Sequence, residues 1–130
     1  MTDIKRAMVF GVFDGLHEGH KHFLVDAKGR CEKLIVVVTR DSVSKTRKGF
    51  APKRNEAERV LALKDYDGEL SVVLGDDEDG SWHVLDAYDP ERVFLGYDQA
   101  EMSIELKKMG IPFTFLDAYK PGEYRSSLFR

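Results

Sequence analysis

Residues 11–20 read Gly-Val-Phe-Asp-Gly-Leu-His-Glu-Gly-His and lie between two segments of different character. The apolar run before them, residues 7–11, predicts a strand, and the segment after them, residues 20–28, predicts an amphipathic helix. The stretch is therefore the turn at which a buried strand leads into a helix. In an open α/β sheet such a turn lies at the carboxyl end of the strand, where ligands bind.

The turn has the features of a phosphate-binding site, because a helix N-terminus offers unpaired backbone N–H groups and a positive dipole end. His17 and His20 are three residues apart, so their side chains can point the same way. Gly11, Gly15 and Gly19 leave room for a ligand to approach the backbone. Two imidazole N–H groups here would stabilise the charge that grows when a nucleoside triphosphate is attacked at its α-phosphate. The alternative is a plain turn with two solvated histidines.

The pattern Gly-x-Phe-Asp-x-x-His-x-Gly-His resembles the motif of the nucleotidyltransferase superfamily that is marked by His-x-Gly-His. The similarity is to its cytidylyltransferase-like branch, which includes glycerol-3-phosphate cytidylyltransferase, phosphopantetheine adenylyltransferase and archaeal-type FAD synthase. The resemblance implies NMP transfer with release of pyrophosphate, and catalytic roles for His17 and His20. It also implies that the nucleotide is bound by Gly11, Val12, Phe13, Asp14 and Gly19. Asp14 either orients a metal ion or acceptor, or braces the loop backbone.

Length and composition predict one domain, residues 1–130, with a single core. The net charge of -3 argues against a general nucleic-acid binder. The lone Cys31 cannot form an internal disulfide and is expected to be a packing residue. No apolar run has the length of a membrane span, and the first residues lack the pattern of a signal peptide. We therefore expect a cytoplasmic protein that contacts no membrane.

Four further strands are expected, at residues 33–39, 70–74, 92–96 and 112–116. Helices are expected between them, at residues 56–65, from residue 81 onward, and at residues 100–109. The β-branched run of the second strand predicts burial on both faces, and the proline of the last strand predicts an edge. With the resemblance, these elements imply a three-layer, Rossmann-like α/β sandwich with five parallel strands in the order 3-2-1-4-5.

Residues 40–54 follow the second strand and are predicted to form a polar loop that contains six Lys or Arg residues. The loop is either a solvated segment or a lid whose cations reach the triphosphate. Lys45 and Lys48 resemble the lysines that follow strand two in the cytidylyltransferase branch, which implies a catalytic role for one of them. Arg59 resembles the arginine of the family's Glu-x-x-Arg helix, which reaches the phosphates or the acceptor. The alternative is a surface arginine paired with Glu56.

A second strand–glycine–helix junction occurs at residues 95–99, which read Leu-Gly-Tyr-Asp-Gln. We expect it beside the first junction, where Gly96 and Asp98 would contact the nucleotide base. The five residues are similar to the Leu-Gly-x-Asp-Gln stretch of archaeal-type FAD synthases. Two nearby features have simpler interpretations: the acidic residues 75–80 predict a solvated turn, and Trp82 is either a packing residue or a ligand contact.

Near the C-terminus, Ser126 and Ser127 precede Leu-Phe-Arg and predict a short helix with hydroxyl groups at its start. The segment resembles the superfamily's Ser/Thr-Ser/Thr-x-Ile-Arg motif, which implies phosphate binding by both serines and by Arg130. Lys120 takes the place of the arginine in the Arg-Thr-x-Gly-Ile-Ser-Thr-Thr stretch of glycerol-3-phosphate cytidylyltransferases. Arg125 stands where that stretch has its first hydroxyl residue, a departure that weakens the cytidylyl interpretation. An ordinary helix cap is the alternative.

Taken together, these features favour transfer of AMP from ATP to FMN, giving FAD, with Mg²⁺ or another divalent cation accompanying the nucleotide. Glycerol-3-phosphate with CTP is the second candidate pair, and another phosphorylated small molecule is the third. The resemblance also implies a homodimer. A nucleotide-binding regulatory domain that has lost the reaction is the alternative outside enzymology, against which the complete histidine pair argues.

Overall fold

A computed structural model describes residues 4–49, 51–77 and 81–116. These residues form five strands and five helices: β1 Arg6–Gly11, α1 Glu18–Gly29, β2 Lys33–Val38, α2 Asp41–Lys48, α3 Glu56–Tyr66, β3 Ser71–Leu74, α4 His83–Tyr88, β4 Arg92–Leu95, α5 Ala100–Met109 and β5 Phe113–Phe115. None of the described helices is long and apolar enough to cross a membrane.

The five strands form one parallel sheet in the order β3-β2-β1-β4-β5, as predicted. Strand β1 is central: Gly11 lies opposite Val38 of β2, and Met8 lies opposite Val93 of β4. Strand β5 is an edge strand, which agrees with the proline that precedes it. Because every strand runs the same way, the turns that follow β1, β2 and β4 meet at one edge of the sheet.

The core has two layers, one on each face of the sheet. Ala7 and Val9 of β1 belong to one layer, together with Leu24 of α1 and Leu63 of α3. The alternate residues belong to the other layer, whose helical members come from α4 and α5. This layer contains Met8, Phe10, Ile35, Val37, Val84, Leu85, Val93, Leu95 and Leu106. Burial on both faces explains why the strand sequences are continuously apolar, and it gives the predicted three-layer sandwich.

The predicted loop at residues 40–54 is wrong in its first half, because Asp41–Lys48 is a helix. Val43 and Ser44 are buried there, and the remaining residues are polar, which is why the sequence suggested a loop. Gly49 ends the helix in the left-handed conformation, with φ 82°. The next helix begins as predicted: Asn55 caps α3, and its side chain and backbone complete a capping box with Glu58.

Two smaller predictions concern single residues away from the sheet edge. Cys31 is a packing residue, as predicted: it is buried, its Sγ donates to the Ala27 carbonyl at 3.4 Å, and burial raises the pKa of its thiol. Trp82 immediately precedes α4 with φ 57°, and its ring packs edge-on against Phe10 with 5.7 Å between centroids. For Trp82, the structure therefore shows the packing alternative.

Candidate active site

The predicted site lies at the carboxyl edge of the sheet, around the turn between β1 and α1. Thr39, which follows β2, donates its backbone N–H to the Gly11 carbonyl at 3.0 Å. Gln99, which precedes α5, donates its side-chain amide to the Phe10 carbonyl at 2.8 Å. The end of β1 is thus held from both sides, and helix α2 begins two residues beyond Thr39.

His17 is the N-cap of α1 and uses one ring nitrogen for that purpose. Its Nδ1 accepts from the backbone N–H groups of Gly19 at 3.0 Å and His20 at 3.3 Å. A nitrogen that accepts carries no proton, so the neutral His17 ring holds its proton on Nε2. His17 is an exposed residue, and this N–H is a donor available to an anion at the start of the helix.

His20 stacks on His17, with 3.8 Å between ring centroids and 19° between planes. Its Nδ1 lies 3.2 Å from the Gly15 carbonyl oxygen, which can only accept, so Nδ1 carries the proton of the neutral ring. Burial and, to a smaller extent, the neighbouring His17 lower the pKa of His20 to about 4. At neutral pH the pair therefore offers one N–H at His17 Nε2 and a lone pair at His20 Nε2, rather than the two N–H groups expected from the sequence.

Phe13 supports this corner from inside the protein. The residue is 4% exposed and has φ 54°, a conformation that non-glycine residues adopt rarely and that is found in functional turns. Its ring contacts His20 edge-on at 5.5 Å and covers Gly11, where an added Cβ would lie 2.7 Å from the ring. The sequence had suggested that Gly11 leaves space for a ligand. In the structure, the Phe13 ring fills the space that a Cβ at Gly11 would occupy.

Asp14 braces the backbone, which is the second of the two roles considered for it. One carboxylate oxygen accepts from the Lys53 N–H at 2.8 Å, and the other accepts from the Arg54 N–H at 3.1 Å. These bonds, above all the one from Lys53, hold the pKa of Asp14 below its usual range. The turn that contains the histidines is thereby attached to the segment before α3.

Arg59 is fully buried, so it is not the surface arginine that one alternative proposed. Its Nη1 donates to the Val12 carbonyl at 2.8 Å, its Nη2 to Asp41 Oδ1 at 2.6 Å, and its Nε to the Arg54 carbonyl at 3.0 Å. The guanidinium is thus bonded to protein oxygens on all three nitrogens. These bonds use three of its five N–H groups, and the role that the resemblance implied, contact with the phosphates or the acceptor, stays a prediction.

Asp41 and Glu56 connect the first turns of α2 and α3, and neither was among the predicted site residues. The Asp41 N–H donates to Glu56 Oε1 at 2.9 Å, and the Glu56 N–H donates to Asp41 Oδ2 at 3.1 Å. Each carboxylate therefore caps the helix that begins with the other residue. The signal in the sequence is an acidic residue at a helix start, which is recognisable only when residues 41–48 are known to be helical.

The second junction does lie beside the first. Gln99 accepts from the Gly96 N–H at 2.9 Å while it donates to Phe10 of β1, so it closes the turn and joins it to the central strand. Asp98 is exposed, and its charge acts on His20 by favouring the protonated ring. Gln99 is the last residue of the Leu-Gly-Tyr-Asp-Gln motif, but it was not among the predicted site residues. The signal in the sequence is a glutamine three residues after the junction glycine, because its amide is long enough to bond both to the turn and to the adjacent strand.

The other predicted site residues are placed only in part. Lys45 is exposed on α2, and Lys48 belongs to the same helix, although its side chain lies outside what the structure describes. The phosphate contacts predicted for the C-terminal segment also lie outside the described residues; they are Lys120, Ser126, Ser127 and Arg130. Within the ranges described, no three His, Cys, Asp or Glu side chains are grouped as metal ligands.

Comparison with known proteins identifies the family. The family model described as cytidylyltransferase-like matches residues 8–127, a range that includes the histidine corner and both junctions. The chain belongs to the cytidylyltransferase-like family. It is 36% identical over 110 residues to an FAD synthase of Thermococcus sibiricus, covering 82% of this chain and 74% of that protein. It is 35% identical over 114 residues to an FAD synthase of Methanosarcina mazei, covering 84% and 73%.

Solved structures agree with this membership of the cytidylyltransferase-like family. A Thermoplasma volcanium structure, described as a lipopolysaccharide core biosynthesis protein, matches with a TM-score of 0.76 and 31% identity. The match covers 90% of this chain and 99% of that one. A bifunctional NMN adenylyltransferase/ADP ribose pyrophosphatase of Francisella tularensis matches with a TM-score of 0.66 at 12% identity, which shows a shared fold alone. The family and its relatives place the chain among nucleotidyltransferases.

Proposed function

We propose that this chain is an FMN adenylyltransferase, which transfers AMP from ATP to FMN and forms FAD and pyrophosphate. The observation that carries the proposal is the stacked His17–His20 pair at the N-terminus of α1, at the carboxyl end of the central strand. A helix N-terminus with an adjacent donor is suited to a phosphate group. The choice of FMN and ATP is supported by the FAD synthases among the relatives.

The transfer needs no nucleophile from the protein. A phosphate oxygen of FMN attacks the α-phosphorus of ATP, a new P–O bond forms, and the bond to the β-phosphate oxygen breaks as pyrophosphate leaves. His17 donates its Nε2 proton as a hydrogen bond to an α-phosphate oxygen, where negative charge grows. The β- and γ-phosphates are held by Lys45 or Lys48. Further phosphate contacts come from the C-terminal residues Lys120, Ser126, Ser127 and Arg130, and the base lies against Gly96 and Asp98.

His20 has a different starting state and therefore a different task. Its Nε2 is unprotonated in the free protein, so it can donate to a phosphate only after it gains a proton. The negative triphosphate favours the imidazolium form and raises the pKa of His20, so nucleotide binding should be accompanied by proton uptake at His20. Titration calorimetry at pH 7.5 in two buffers of different ionisation enthalpy measures this uptake. The wild-type protein should take up more protons than His20→Asn, and equal values would contradict the step.

Mg²⁺ belongs to the proposal as part of the substrate. This ion usually binds proteins through substrate phosphates and a few carboxylates, and it retains several of its waters. It would arrive with ATP, bridge the phosphates and assist the departure of pyrophosphate. The homodimer and the cytoplasmic location implied by the sequence also remain part of the proposal. Sedimentation velocity of the purified chain tests the homodimer.

The deciding experiment pairs acceptors with nucleotides. The protein is incubated with FMN and Mg·ATP, and separately with glycerol-3-phosphate and Mg·CTP, and pyrophosphate and the nucleotide product are both measured. We expect FAD from the first pair and no CDP-glycerol from the second. CDP-glycerol without FAD would identify the cytidylyltransferase alternative. An absence of pyrophosphate with any nucleotide and a panel of phosphorylated acceptors would indicate a non-catalytic nucleotide-binding domain.

A further inference from the structure

The Arg59 side chain is fully buried, so its charge must be compensated inside the protein. Asp41 provides the compensating charge at 2.6 Å, while the carbonyls of Val12 and Arg54 accept from the other two nitrogens. Val12 lies in the turn that carries the histidines, and Asp41 is the first residue of α2. One guanidinium therefore connects the phosphate turn with the helix that carries the candidate lysines.

The connection continues from Asp41 into α3. The second Asp41 oxygen caps α3 at the Glu56 N–H, and Glu56 caps α2 in return. The start of α2, and with it the path of the helix to Lys45, is thus determined by the same carboxylate that binds Arg59. A network in which a buried guanidinium bonds through all three nitrogens holds its members in one geometry.

We propose that Arg59 and Asp41 are positioning residues for the nucleotidyl transfer: together they hold α2, with Lys45, at a set distance from His17. The inference rests on the proposed function and adds to it residues that act without touching the substrate. A misplacement of about 1 Å between groups that contact one substrate can reduce its rate roughly 100-fold. The competing role is direct contact of Arg59 with a phosphate. In that case removing the charge of Asp41 would release the guanidinium to the ligand, and kcat would not fall.

The test is a double-mutant cycle of Asp41→Asn, Arg59→Lys and the double variant. Asn keeps the shape of Asp41 without its charge, and Lys keeps the charge of Arg59 without the planar group that bonds three oxygens. FAD formation is measured as kcat and as KM for ATP. We expect each single variant to lose roughly 10- to 100-fold in kcat, with a smaller change in KM. The kcat of the double variant should lie within about twofold of the kcat of the slower single variant, because both changes break the same connection.

The control cycle uses Asp26→Asn and Arg30→Lys, a pair of the same chemistry at the opposite end of α1, with 2.8 Å between Nε and the carboxylate. These variants should retain wild-type kcat. Wild-type kcat in Asp41→Asn, full retention in Arg59→Lys, or losses that multiply in the double variant would each overturn the proposal. If Arg59→Lys does not fold, as judged by circular dichroism, Asp41→Asn alone tests the proposal. This variant should fold, because the Asp41 side chain is one-third exposed.

Amide hydrogen exchange gives a result that does not depend on the substrate. In Asp41→Asn without nucleotide, we expect faster exchange at the Glu56 amide and at the amides of Lys53 and Arg54, which bond to Asp14. Faster exchange at Glu56 alone would show a lost helix cap and would overturn the longer connection. A wild-type protein that forms no FAD would refute the proposed function, and the exchange result would still show whether Asp41 holds the turn.

Discussion

The two strand–glycine–helix junctions at the sheet edge are stabilised in different ways. The junction after β4 is closed locally, by Gln99, which bonds to Gly96 three residues earlier and to the adjacent β1 strand. The junction after β1 is braced by partners about 40 positions away, since Asp14 bonds to residues 53 and 54 and Arg59 bonds to Val12. The junction with the histidine pair is thus tied to α3 and to the segment before it, whereas the second junction is tied to its own glycine and to β1.

The difference has a chemical reason. At the β1 junction each imidazole has an Nε2 that bonds to none of the residues described in the structure, and a rigid backbone would hold these nitrogens in place for a ligand. At the β4 junction, Gln99 uses its amide oxygen and nitrogen for internal bonds. We therefore expect substitutions at the first junction to affect the reaction, and substitutions of Gln99 to affect mainly stability.

The largest expected effect comes from His17. His17→Asn retains a good N-cap for α1 but loses the Nε2 donor, so kcat should fall roughly 100- to 1000-fold with little change in stability. His17→Ala should lose the same activity and, in addition, about 1 kcal/mol of unfolding free energy. Steady-state FAD formation and urea unfolding measure the two quantities, with His83→Asn on α4 as the control. Full activity in His17→Asn would remove the donor from the mechanism.

The next effect is a pH dependence of stability that arises at the same junction. The pKa of His20 is about 4 in the folded protein and 6.5 when unfolded, so the unfolded chain binds more protons between these values. Unfolding free energy should therefore decrease as the pH falls from 6.5 to 4, by up to about 3 kcal/mol from this residue. The stabilisation that comes from the lowered pKa of Asp14 is lost only when the pH falls below 3.8, the ordinary pKa of this carboxyl group.

Urea unfolding at several pH values measures this slope. His20→Asn should flatten it between pH 6.5 and 4. A slope that is the same in the wild-type protein and in His20→Asn would show that His20 is not held neutral, and the proposed proton uptake would lose its basis.

The packing beneath the first junction gives a third, smaller effect. Gly11→Ala places a methyl group 2.7 Å from the Phe13 ring, and such overpacking costs about 1–3 kcal/mol. Because the ring also contacts His20, activity should fall as well. Gly29→Ala is the matched control, since no heavy atom lies within 4 Å of its added methyl group. Equal melting temperatures for the two variants would refute the packing argument.

The smallest effect is expected at the second junction. Gln99→Ala removes the partner of the Gly96 N–H and of the Phe10 carbonyl, which should cost about 1–2 kcal/mol of unfolding free energy. Its kcat should fall far less than that of His17→Asn. Ser103→Ala, which loses a single exposed bond on α5, is the control. A loss of kcat as large as that of His17→Asn would show that the two junctions do not differ in the way described.

The sheet, its strand order and the position of the histidine pair were predictable because they follow from local patterns and from the family resemblance. Helix α2 was missed because two buried residues, Val43 and Ser44, and a cap supplied by Glu56 fifteen positions away support it. The proton state of His20 was also missed, since it depends on the Gly15 carbonyl and on burial. Both are properties of contacts between segments, which residue types alone do not reveal.

The exchange of caps between Asp41 and Glu56 has a consequence for motion. If the first turn of either helix opens, the N-terminus of the other loses its acceptor as well. The first turns of α2 and α3 are therefore coupled through these two bonds, while Asn55 and Glu58 also cap α3 locally. In the proposed enzyme, a movement of α2 that carried Lys45 away from the nucleotide would therefore cost α3 its contact with Asp41.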